Sequence, residues 1–150
     1  MIKVQREDFD LGLEITRLRA NSPQVGAVAS FLGTVRDLNE GQSVDGMTLE
    51  HYPGMTERCL EAIEQEARQR WTLEEVLVIH RVGPLRPQDQ IVLVAVSSRH
   101  RGEAFAACEF IMDYLKTRAP FWKREETGEG ARWVDARESD DRAAQRWAHP

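Results

Sequence analysis

The run Ile91-Val92-Leu93-Val94-Ala95-Val96, continued from Ser97 to Lys123 as SSRHRGEAFAACEFIMDYLKTRAPFWK, holds a strand, a turn, a helix and a bend in succession. Its aliphatic and β-branched opening suits a strand buried on both faces and central in its sheet. Arg99, His100 and Arg101 then stand between the strand end and a helix predicted from about Glu103 to Arg118. Backbone N–H groups at a helix start, joined by side-chain cations, suit a phosphate or carboxylate. Ala104, Cys108, Ile111 and Leu115 form one stripe of that helix, widened by Ala107, Phe110 and Tyr114, so one face packs on the sheet. Pro120 cannot continue a helix and pushes Ala119 towards extended geometry. The chain therefore leaves as Phe121-Trp122-Lys123 in a strand or strand-like loop, and Lys116 and Lys123 flank a forced bend from which both can reach one cleft.

Working outward, Ile2 to Val4 reads as a short edge strand, and Asp10 can cap a helix carrying Leu11, Ile15 and Leu18. Val25 to Val35 is apolar and rich in small and β-prone residues, a second inner-strand candidate in which Gly26 and Gly33 permit close backbone approach. Arg36 follows at once. Residues 37–45, DLNEGQSVD, read as a mobile polar loop able to act as a lid. Met47 to Tyr52 is a strand. Met55, Cys59, Ile63, Ala67 and Trp71 then mark an amphipathic helix, and Val76 to Ile79 another strand ending at His80. This order indicates an α+β fold, helices packed on a mainly antiparallel or mixed sheet, in one domain spanning 1–150. The charged segment 137–150 reads as a mobile tail that Trp147 can anchor.

The formal net charge of −5 disfavours general affinity for nucleic acid, so the cationic turn is a local feature against an acidic background. No apolar run is long enough for a membrane span, and MIKVQREDFD lacks the apolar core of a secretory signal, which places the chain in the cytoplasm. Cys59 and Cys108 fall on apolar helix stripes without metal or redox spacing, so no metal site is expected and any sulfur handled must come from outside. There is no glycine-rich nucleotide loop and no nucleophile elbow. Arg36, Arg99, Arg101 and His100 are candidate anion ligands. Lys116 and Lys123, if held near other cations or partly desolvated, can act as base, acid or nucleophile towards an acyl group. Trp122 could stack on a flat heterocycle. His80 ends a buried strand and reads as part of a structural hydrogen-bond network, and no carboxylate stands out. Residue chemistry alone reaches an anion-binding α+β enzyme with lysine chemistry.

FLGTVR at Phe31–Arg36, LEHYPGM at Leu49–Met55, IHRVGPL at Ile79–Leu85, SSRHRGEAF at Ser97–Phe105 and LKTRAPFWKRE at Leu115–Glu125 occur in the order and spacing of the MoaE family, which the chain resembles from about Val25 to Arg137. The resemblance implies an α/β hammerhead fold with a small additional β-subdomain. It also implies a sulfurtransferase that converts cyclic pyranopterin monophosphate to molybdopterin by installing two dithiolene sulfurs. The sulfur would arrive as the C-terminal Gly-Gly thiocarboxylate of a small ubiquitin-like subunit of MoaD type, on a homodimer that becomes a heterotetramer with that subunit, and no cofactor is implied. Carried over, Lys116 and Lys123 are the catalytic pair, with their individual roles open. Arg36, His100 and Arg101, joined by Arg137, form the pterin phosphate pocket, drawn from both copies of the dimer. Two other readings remain: a non-catalytic dimeric module binding a carboxylate tail, and a phosphate-ester enzyme that needs no sulfur-donor protein.

Overall fold

The computed structural model describes residues 1–39, 41–134 and 138–148. Strand β7 (Gln90–Ser98) lies inside a four-stranded sheet, between β5 (Glu75–Arg81) and β2 (Ala27–Thr34), with β1 (Ile2–Gln5) beyond β5. β1 runs parallel to β5, and the other pairings are antiparallel. Two helices, α2 (Met55–Arg70) and α3 (Arg101–Arg118), cover one face, where Val76, Val78, Val92, Val94 and Val96 meet Leu60, Ile63, Phe110 and Ile111. On the opposite face Leu77, Ile79, Leu93 and Ala95 pack against α1 (Leu11–Leu18), whose first turn is capped by Asp10 accepting from the Leu13 N–H at 2.9 Å. β7 is thus apolar on alternate and intervening positions because both of its faces are covered. Each such fully buried side chain contributes about 1.5–3 kcal/mol.

β2 is an edge strand, not the inner strand expected. Among the described residues it pairs only with β7, and it leaves Phe31 and Leu32 exposed. Its small residues answer to close approach instead: a Cβ at Gly26 would collide with the Arg99 carbonyl, and one at Gly33 would lie 2.8 Å from a Val92 methyl.

A second sheet has the order β3-β4-β8-β9, built from β3 (Leu38–Asn39), β4 (Gln42–His51), β8 (Phe121–Thr127) and β9 (Gly130–Val134), with β6 (Gly83–Leu85) also paired to β4. It closes over a small core of Val35, Met47, Leu49 and Leu85. This corrects the reading of 37–45 as a loop. Leu38 pairs with Ser43 and Asn39 with Gln42, and Val44 and Asn39 are buried, so the polar letters belong to a hairpin whose turn uses Gly41 at a φ of 77°.

In the segment 137–150, residues Glu138–Gln145 form α4 against α3. Trp147 anchors it, edge-on to Trp71 and Phe110, with its indole N–H donating to Asp113 Oδ2 at 2.7 Å. Among the described residues no helix is long and apolar enough to cross a membrane.

Candidate active site

Helix α3 buries one face from Ala104 to Leu115 and stops where Pro120 follows Ala119. The bend is held from outside. The Thr56 hydroxyl donates to the Pro120 carbonyl at 3.0 Å while accepting from the Tyr52 N–H at 2.9 Å, and Thr56 is wholly buried. Lys116 projects from the last turn before the bend, and β8 begins just after it at Phe121. Side chains of a strand alternate, so Phe121, Lys123 and Glu125 share one face and Trp122 and Arg124 the other.

The inner face of β8 looks into a cavity of about 490 Å³, a volume in the range of small-molecule sites. Lys116, Lys123 and Arg36 all line it, over apolar walls that include Leu115, Ile91 and Leu49. Arg36 arrives there because β2 ends at Thr34 on the same edge as the start of β7. Trp122 is turned outward and half exposed, so the stacking expected of it cannot occur in this cavity. The cavity also takes in two carboxylates, Glu125 and Asp140. Glu125 is buried and accepts from Asn39 Nδ2 at 2.8 Å and from Arg132 Nη2 at 3.3 Å. Arg132 also donates to the Asn39 carbonyl at 3.1 Å, tying β9 and β8 to the β3–β4 hairpin.

His80 forms another part of the wall. It ends the inward-facing row Val76, Val78, His80 of β5, and its ring stacks on Phe121 at 3.8 Å and 15°. Nδ1 lies 2.8 Å from the Arg81 carbonyl, which can only accept, so Nδ1 carries the proton. Burial holds the imidazole down at about 3. The Arg81 carbonyl acts the other way, and the Lys116 and His51 charges add to the depression. The ring is neutral at physiological pH.

His100 and Arg101 are elsewhere in the chain. His100 caps α3, Arg101 is its first residue, and both are exposed. At roughly 1.5 Å per residue, the helix separates Arg101 from Lys116 by about 22 Å. One copy therefore gathers Lys116, Lys123 and Arg36 and leaves the cationic turn at the opposite end of α3. Arg99 in that turn pairs with Glu74 at 3.6 Å. Arg137 lies outside the described residues.

His80, Asn39 and Glu125 were not among the candidates read from the sequence. The signal for His80 was a polar residue closing a buried apolar strand. For Asn39 and Glu125 there was none, since their burial comes from strands far apart in the chain. Cys108 takes no part: burial, helped by the Glu109 charge, pushes its thiol up to about 11.

The family model described as MoaE protein matches residues 4–118. A molybdopterin synthase catalytic subunit of Ralstonia nicotianae is 70% identical over 146 residues, 97% of this chain and 83% of that one. A solved molybdopterin biosynthesis MoaE protein from Burkholderia ambifaria superposes with a TM-score of 0.85 at 57% identity, covering 100% of this chain and 99% of the other. A molybdopterin synthase structure from Staphylococcus aureus gives a TM-score of 0.81 at 32% identity over 89% of this chain and 96% of its own.

Proposed function

The chain belongs to the MoaE family, and from that membership we propose that it is the catalytic subunit of a molybdopterin synthase. It converts cyclic pyranopterin monophosphate to molybdopterin in the cytoplasm, installing two dithiolene sulfurs, each delivered as the C-terminal thiocarboxylate of a small ubiquitin-like subunit, one sulfur per thiocarboxylate. The working assembly is a homodimer of this chain with a small subunit on each copy. The observation that carries the reading is the convergence of Lys116, Lys123 and Arg36 on one cavity from three separate elements.

In this reading the thiocarboxylate end enters the cavity and the Lys116 ammonium meets its carbonyl oxygen, where negative charge grows as sulfur is transferred. Lys123, on the facing strand, moves the proton as the thiocarboxylate sulfur bonds to a pterin side-chain carbon and the cyclic phosphate opens. Water then cleaves the acyl–sulfur bond, leaving the sulfur on the pterin and a free carboxylate on the small subunit. Arg36 holds the phosphate from the cavity's own copy. His100 and Arg101, too far away in the same chain, serve the cavity of the other copy, and Arg137 is assigned with them to the phosphate. The inert Cys108 agrees with sulfur delivered by a partner.

The test mixes the chain with the pterin precursor, with and without a thiocarboxylated small subunit, and follows dithiolene product by mass spectrometry. Product is expected only in the complete mixture. Turnover by the chain alone would point to a phosphate-ester enzyme, and tail binding without product to a non-catalytic module.

A further inference from the structure

His80 has three features that a purely structural core histidine does not need together. Its tautomer is fixed, because the Arg81 carbonyl at 2.8 Å takes the Nδ1 proton. Its ring plane is fixed, because Phe121 stacks on it at 3.8 Å. Its remaining nitrogen, Nε2, makes no hydrogen bond among the described residues, although the ring is only 5% exposed and lines the cavity beside Lys116. A neutral ring nitrogen with a lone pair is an acceptor, and an ammonium is the donor that such a nitrogen takes best.

We propose that His80 is a positioning residue for Lys116: the imidazole, locked as its Nδ1–H tautomer and braced by Phe121, offers Nε2 to the Lys116 ammonium and so sets where that ammonium stands and how firmly it keeps its proton. The proposal rests on the reading of Lys116 as a catalytic group. It adds an acceptor that keeps the lysine charged while it faces the thiocarboxylate carbonyl. Among the described residues, the other charged or titratable groups around this point are Lys123 and Glu125 on β8, Arg36 after β2, Asp140 on α4 and His51 at the end of β4. Lys123 and Arg36 favour the neutral lysine, and the carboxylates Glu125 and Asp140 favour the charged one. His80 adds to the carboxylates' side an acceptor that carries no charge of its own.

The experiment labels lysine with carbon-13 at Cε, whose shift follows protonation, assigns Lys116 by its loss in K116R, and titrates the full chain. In H80F, which keeps the stack and removes the acceptor, the Lys116 pKa is expected to fall by about one unit, as loss of a hydrogen bond to a charged group implies. H80Q, whose amide oxygen can stand near the place of Nε2, is expected to restore most of the wild-type titration. In the synthase assay H80F should lower kcat roughly tenfold with KM little changed, and move the alkaline limb of the pH profile down by the same interval. An unchanged Lys116 titration in H80F overturns the proposal, whatever happens to turnover. A shifted titration with unchanged turnover supports His80 as a partner of Lys116 and removes the catalytic reading of that lysine instead. If H80F does not fold, the imidazole nitrogen spectrum of the wild type decides: protonated Nδ1 and bare Nε2 from about pH 5 to about pH 9 support the proposal, and the reverse tautomer overturns it.

Discussion

Lys123 reaches the cavity and Trp122 does not because they are neighbours on a strand, where successive side chains take opposite faces. Adjacency in the sequence suggested a lysine with a stacking platform beside it; the pleat gives that place to Phe121, two positions away, and Phe121 is already taken up by His80. The buried His80 also has a thermodynamic consequence. Its folded value is about 3 against an ordinary 6.5, so between these values the unfolded chain binds a proton that the folded chain refuses. The stability attached to this residue is complete above about pH 6.5 and is lost as pH falls towards 3, by roughly 1.4 kcal/mol per pH unit for one proton. Urea unfolding of wild type and H80F at a series of pH values should therefore show the wild type losing ground to the variant on acidification. Parallel pH dependences would contradict a neutral buried imidazole. The burial of His80 and its hydrogen bond were legible in the sequence, as a histidine closing a buried strand; its stacking on Phe121 and its place in the cavity were not, because those neighbours come from far along the chain.

Among the elements, the stretch from β7 through α3 to the bend could be read directly, because its signals are local: an unbroken apolar run, a stripe at helical spacing and a proline. Of the second sheet, parts of β4 and β8 could be read, at Met47 to Tyr52 and Phe121 to Lys123, but their pairing and the hairpin before β4 could not. Residues 37–45 are polar and glycine-containing, yet Asn39 is buried because Glu125, 86 positions later, accepts its amide proton. Pairings of that sequence separation leave no periodic trace. The bend between the two lysines has a similar remote support in Thr56, which bridges the Tyr52 N–H and the Pro120 carbonyl at the start of α2. Thr56→Val keeps the shape and removes both bonds, leaving the part-buried Tyr52 N–H and Pro120 carbonyl unmet. It should cost about 1–3 kcal/mol of stability by denaturant titration and lower turnover. A variant as stable and active as the wild type would show that the bend is set by Pro120 alone.

At the scale of the whole molecule, an acidic chain of net charge −5 keeps the cations proposed for the site in two places at opposite ends of α3. The sequence brought Arg36, His100, Arg101, Lys116 and Lys123 together as one list of candidates. The fold separates them, with Arg36 and the lysines at the cavity and His100 and Arg101 at the far helix end. A single anion site served by both groups requires two copies related by a twofold axis, each lending its turn to the other's cavity. The most direct measurement uses K116A and R101A, each assayed alone below substrate saturation and then as randomly remixed dimers. Each variant alone is expected to be nearly inactive. Remixing equal amounts should restore about one quarter of the wild-type rate, since half the dimers then hold one site with both groups intact. No recovery on remixing, or wild-type turnover by K116A alone, would contradict the account.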